Sequence, residues 1–345
     1  MTATATDVTT SIAPRRLTRS AGITLAIVAL VVVALLSLAI GAKPIPLSTV
    51  IDSLLHPSDT QDSVIITDLR VPRTILGLLV GAALGLAGAL MQALTRNPLA
   101  DPGLLGVNAG AAAAVIVAIA VLGLTGITAY VWFAFLGAAI ASVVVYAIGT
   151  GGRAAATPAR LALAGTAITA ALTAFTYAVA LSDPDMLQRF NQWNVGSLAG
   201  RDISTVKSVA PFLLVGIALA LLLPRALNAI ALGDDTARAL GADIGRTRIA
   251  GAVAITLLCG AATAAAGPIV FVGLTIPFVA RAIVGPDQRW VLPYSALLGP
   301  VLLLGADVLG RVIARPGELE VGIVTAILGA PVFIALVRRR RIAQL

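Results

Sequence analysis

An all-α polytopic membrane protein of about ten transmembrane helices is the fold class this sequence predicts, and three observations predict it. Of 345 residues, 59% are hydrophobic and only 12% charged, where soluble domains carry about 25% charged residues. The mean hydropathy is +0.99. Ten apolar runs with short polar connections take up nearly the whole chain. Most of them approach the roughly 20 residues that span a hydrocarbon layer about 30 Å thick at about 1.5 Å of rise per residue.

The first run, 21–42, follows a polar start carrying Arg15, Arg16 and Arg19. It exceeds the 7–15 apolar residues of a secretory signal, so it is expected to remain as a span. The second, 72–94, carries Gly77, Gly81 and Gly85 at helical spacing and then Gly88. Such a bare stripe lets another helix approach closely; it is assigned to packing within one subunit, with a dimer interface as the alternative. Runs at 104–124, 129–149, 160–181 and 206–224 come next. The seventh and eighth, 249–267 and 270–284, are short and interrupted by Gly267-Pro268 and Pro277, and runs at 291–313 and 320–337 complete the set. Clusters of Gly, Pro, Asp, Asn and Arg mark the turns between them. Backbone groups in lipid must pair within their own segment, which makes these spans helices and not open strands. The expected organisation is a tail 1–20, one transmembrane domain 21–337, and a basic tail 338–345. No separate globular domain is expected, unless 182–206 or 225–248 forms one.

Ten crossings place both termini on one side. With the termini inside, 16 Lys and Arg residues face the cytoplasm and 8 face out, the bias expected of cytoplasmic loops. The net charge of +8 therefore reports topology and implies no nucleic-acid partner. One cysteine, Cys259, and one histidine, His56, can build neither a disulfide nor a Cys/His metal site, and no cofactor is expected. The chain has no G-x-x-x-x-G-K-[ST] phosphate loop, so it is not expected to be an enzyme; any ATP hydrolysis lies on another chain. Asp307 is the acidic residue deep in an apolar run. Its isolation argues against the linked carboxylates of an ion-gradient-driven transporter, and Arg311, four residues on, is placed to pair with it.

Two charged or polar clusters attract functional readings. Arg70 and Arg73 open the second run on its outward side, and Arg311 lies near the outward end of the ninth. A basic rim suits docking of an acidic partner surface; the alternative is that these side chains reach out to lipid phosphate. On the cytoplasmic side, 231–245 reads as two short helices joined at Gly241, the first capped by Asp234 or Asp235. Ala237, Ala239 and Leu240 would form a small apolar knob able to enter a groove on another protein, with an ordinary interhelical loop as the alternative.

The motifs Arg70-Val71-Pro72-Arg73-Thr74, Asn97-Pro98-Leu99-Ala100-Asp101-Pro102, Trp193-Asn194-Val195-Gly196-Ser197-Leu198, Gly267-Pro268-Ile269-Val270-Phe271-Val272-Gly273-Leu274-Thr275-Ile276-Pro277 and Gly329-Ala330-Pro331-Val332-Phe333 resemble those of the FecCD family of ABC permeases. The resemblance covers nearly all of the chain after residue 65. It implies a type II ABC importer permease fold: two ten-helix permeases around a central pathway, two cytoplasmic ATPase subunits, and an external binding protein that delivers a chelate. It places Arg70, Arg73 and Arg311 where relatives meet the binding protein. Gly233, Asp234, Ala237, Ala239, Leu240 and Gly241, within 231–247, fall on the coupling helices that contact the ATPase. Asn97, Pro98 and Leu99, with Thr157, Pro158 and Ala159, fall near the cytoplasmic gate, and the fifth span on the pathway lining. Phe278 stands where many members have histidine, so any role of that histidine is absent here. The implied cargo is an iron-siderophore chelate, with cobalamin or haem open within the same family. The implied location is the bacterial cytoplasmic membrane. Whether the second permease is an identical or a related chain is left open.

Overall fold

The computed structural model describes residues 15–41, 43–124, 127–150 and 158–338. Its order is α1 (Arg15–Ala39), α2 (Leu47–Leu55) and α3 (Gln61–Val64), the last running through a π-helical turn, Ile65–Arg70, into α4 (Val71–Thr95). A 3-10 turn at Pro102–Leu105 leads to α5 (Val107–Leu122), α6 (Ile127–Thr150), α7 (Pro158–Ala180) and α8 (Pro184–Asn194). Then come α9 (Ile203–Leu222), α10 (Pro224–Ala231), α11 (Asp234–Ala239), α12 (Ile244–Ala266), α13 (Val272–Val284), α14 (Gln288–Ile313) and α15 (Val321–Arg338). Each of the ten apolar runs coincides with one helix: α1, α4 to α7, α9, and α12 to α15. Seven are long and apolar enough to cross a membrane, while α5, α13 and α15 are shorter apolar helices. The chain is a multi-pass, all-helical membrane protein.

Helix α4 is the hub, packed against α14, α12, α13 and α9. Its glycines explain how. A methyl group at Gly77 would strike the Leu304 side chain, at Gly81 the backbone of Pro300, at Gly85 the Ser295 carbonyl, and at Gly88 the Gly273 carbonyl. The stripe is thus consumed within the subunit, with α14 running antiparallel to α4 at backbone contact. Without a hydrophobic drive between helices in lipid, this close fit is the main source of cohesion. Gly110 and Gly137 bring α5 and α6 together in the same way.

The short α13 starts level with Gly88, about two turns from the end of α4, because Gly267 and the left-handed Phe271 (φ 68°) break the helix before it. The irregular backbone there is stitched to the loop after α8. Ser197 N donates to Ala266 O at 2.7 Å, and Gly322 N donates to Gly196 O at 3.0 Å. Irregular chain at membrane depth survives only with such partners.

Candidate functional site

At the end of the molecule where α4 begins, the three arginines singled out from sequence come together, but they do not form an exposed rim. Arg70 is only 5% exposed, and its Nη1 donates to Leu38 O and Ala39 O at 2.7 and 2.8 Å. Its Nη2 donates to Lys43 O. The carbonyls of Leu38 and Ala39 end α1 and have no intrahelical partner, so the guanidinium serves as a C-terminal cap. Arg311, 1% exposed, donates to Ser37 O and Ile40 O at 2.9 Å each and to the Ser37 hydroxyl. It also pairs with Asp307, as the four-residue spacing predicts. Arg73 pairs with Asp307 at 2.7 Å and Glu318 at 2.7 Å. The expected basic surface is therefore corrected: two of the three guanidinium groups are spent on carbonyls at the end of α1 and on a buried carboxylate. Of the three, Arg73 alone, beside the exposed Glu318, keeps a path to the surface.

The opposite end holds the other candidates. Helix α4 stops in a Schellman turn with Arg96 left-handed (φ 49°): Asn97 N donates to Gln92 O and Arg96 N to Ala93 O. Pro98 comes next, as is common once a helix has ended. The Asn97 side chain accepts from Leu99 N at 3.0 Å, and Ala100 N returns to Asn97 O, so Asn97, Pro98 and Leu99 form a self-bonded turn. Pro158 and Ala159 are the first residues of α7, whereas Thr157 lies outside the described residues.

In 231–247 the structure revises the local reading. A single short helix, α11, lies between α10 and α12, and the chain beyond Gly241 enters the long α12 directly. The cap at the N-terminus of α11 is Gly233 (φ 102°), with no side-chain bond from Asp234 or Asp235. Asp234 is drawn away by two cations: it pairs with Arg96 at the end of α4 and with Arg248 in α12 at 3.0 Å. Gly241 (φ 79°) closes α11, with Ala242 N on Ala237 O and Gly241 N on Arg238 O, both at 2.9 Å. Ala237 is fully buried against Ile230 and Ile244, so it anchors α11 from beneath and forms no part of a knob. The exposed apolar residues of 231–240 are Ala231, Leu232, Ala239 and Leu240. Arg96 and Arg248 were missed as members of this site; their only sequence signal is that each flanks a span.

The comparisons with known proteins agree with one another over almost the whole length. The FecCD transport family is matched over residues 29–339. The chain belongs to that family. It is 50% identical over 311 residues to the ferric enterobactin transport system permease protein FepD of Escherichia coli (strain K12), covering 90% of this chain and 93% of the relative. It is 43% identical over 312 residues to the Fe(3+)-citrate import system permease protein YfmD of Bacillus subtilis (strain 168), covering 89% and 91%. Identity to the hemin transport system permease protein HmuU of Yersinia pestis is 37% over 325 residues, covering 91% and 94%. A metal-chelate type ABC transporter solved in an inward-facing conformation superimposes with a TM-score of 0.82 at 26% identity, over 92% of this chain and 99% of that one. The fold is thus that of an ABC importer permease, and as a FecCD permease this chain is a transport component.

Proposed function

We propose that this FecCD permease carries iron-siderophore chelates across the bacterial cytoplasmic membrane, driven by ATP hydrolysis on a separate subunit. The observation that carries the reading is the match of the family over residues 29–339, joined to half-identity with a ferric enterobactin permease. The positive-inside bias supports cytoplasmic termini, which makes the Arg96 end cytoplasmic and the Arg70 end external.

On that orientation the exposed Leu232, Ala239 and Leu240 face the cytoplasm, where an ATPase subunit would cover them. Asp234 then does not touch the ATPase; it ties α11 to α4 and α12. Motion imposed on α11 reaches the Asn97-Pro98-Leu99 turn through Arg96, one residue away. Outside, the binding protein docks on a surface whose backbone frame Arg70 and Arg311 hold, with Arg73 as the member of the trio within its reach. The pathway lies along α7 in a pair of permeases, identical or related.

Uptake of radioiron-labelled ferric enterobactin by proteoliposomes holding the permease with its ATPase and binding protein tests the proposal. ATP-dependent accumulation is expected. Accumulation driven by an ion gradient without ATP, or none for any ferric chelate, would overturn it.

A further inference from the structure

At the Arg70 end, a cavity of about 370 Å³ opens between α6, α8, the loop after α8 and the start of α15. Its wall includes Tyr130, Arg189, Trp193, Ser197, Arg201 and Glu320. The cavity between α6 and α12, by contrast, is lined by side chains such as Phe135, Val143, Ile249 and Leu257.

Two wall residues are left incomplete by the fold. Arg201 is 5% exposed, its Nε has no hydrogen-bond partner, and among the described residues no carboxylate lies within ion-pair distance of it. The Trp193 ring is 2% exposed, and its Nε1–H is likewise unpartnered. A buried cation without a counter-ion is costly, as is a buried donor without an acceptor, and burial lowers the Arg201 pKa. Tyr130, which shares the wall with Arg201, is a phenol, neutral at ordinary pH, and supplies no compensation. Counting Arg189 and Glu320, the wall carries two guanidinium groups and one carboxylate, an excess of one positive charge. The uncompensated guanidinium calls for one ligand chemistry, an oxygen acceptor bearing negative charge.

We infer that this pocket holds one anionic oxygen-donor arm, a catecholate or carboxylate, of the iron chelate as it enters the permease, with Arg201 as counter-ion. The inference rests on the chelate-import reading and adds to it a preference for anionic over neutral cargo. A volume of 370 Å³ admits one arm and not a whole chelate, so contact there is partial and the cargo can leave.

The test is direct binding of radioiron-labelled ferric enterobactin to the permease–ATPase complex in nanodiscs, without binding protein, with a neutral ferric tris-hydroxamate as control. Arg201→Gln should weaken catecholate binding about tenfold, the loss expected for a charge-assisted bond. Arg201→Lys should restore part of it, and the neutral chelate should be indifferent to Arg201→Gln. Unchanged catecholate affinity in Arg201→Gln, or an equal loss for both chelates, overturns the inference. So does a defect confined to docking of the unloaded binding protein, which would make an acidic side chain of that protein the occupant. If Arg201→Gln fails to assemble, Arg189→Gln, on the exposed side of α8, is judged by the same outcomes. A wild-type complex that imports the chelate yet does not bind it here refutes the pocket alone, whereas one that imports no chelate refutes the import reading.

Discussion

The fully buried carboxylate of Asp307 lies between Arg73 and Arg311, and its value to the fold is set by what its removal would leave. Arg311 would keep its bonds to Ser37 and Ile40 but lose its counter-ion, and Arg73 would have only the partly exposed Glu318. Stripping one partner from a buried ionic group costs about 3–5 kcal/mol. Asp307→Ala should accordingly lower the thermal midpoint of the purified permease sharply, while Glu318→Ala, near the surface, should shift it little. Asp202 makes a gentler case. It caps α9, accepting from Thr205 N at 3.0 Å and from the Thr205 and Ser204 hydroxyls at 2.7 Å. The Thr205 hydroxyl foremost, then that of Ser204, holds its pKa below the ordinary carboxylate value. A depressed carboxylate stabilises the folded form above its unfolded pKa of about 3.9. That contribution drains away as pH falls through the lower folded value. Hydrogen-exchange protection at Thr205 should be flat from neutral pH to about pH 4 and fall below it; a decline already under way near pH 6 would contradict the cap.

Between helices, close approach decides more than apolar area does. Gly88→Ala would drive a methyl into the Gly273 carbonyl, backbone against backbone, whereas Gly305 on α14 has nothing within 4 Å of the added atom. Gly88→Ala should therefore prevent assembly of a detergent-stable permease. Gly305→Ala should be tolerated, or stabilise by up to about 1 kcal/mol through helix propensity. Size-exclusion profiles of the two variants check the pair. These helices were legible in the sequence because a span is a run of apolar residues, and the glycine stripe because its spacing repeats. The arginines were less so. Position at the end of a span does not say whether a guanidinium reaches outward or folds back onto carbonyls, and the carbonyls that take Arg70 and Arg311 belong to the end of α1, far away in the chain. The pairing of Asp234 with Arg96 was hidden for the same reason. From sequence, Asp234 resembled a local helix cap, and two cations brought in by tertiary packing outcompeted the adjacent backbone.

Across the whole molecule, the proposed orientation joins the two ends through α4, whose first turn carries Arg73 and whose last leads to Arg96. With Asp234 as the link between α11 and that helix, Asp234→Asn should leave ATP hydrolysis in the assembled transporter largely intact and cut chelate uptake by about tenfold or more. Parallel ATPase and uptake assays on the same proteoliposomes would show it, and equal loss of both would reduce Asp234 to a folding role. The stitching of 195–200 to Ala266 and Gly322 bears on something else, the order of biosynthesis. Chain leaves the ribosome N-terminus first, so the Ser197 amide emerges long before the Ala266 carbonyl that accepts it. The Gly196 carbonyl waits longer still, for the amide that opens the last helix. A nascent chain halted before Gly322 would leave that carbonyl without its partner, so the loop after α8 cannot close until the start of α15 has been made.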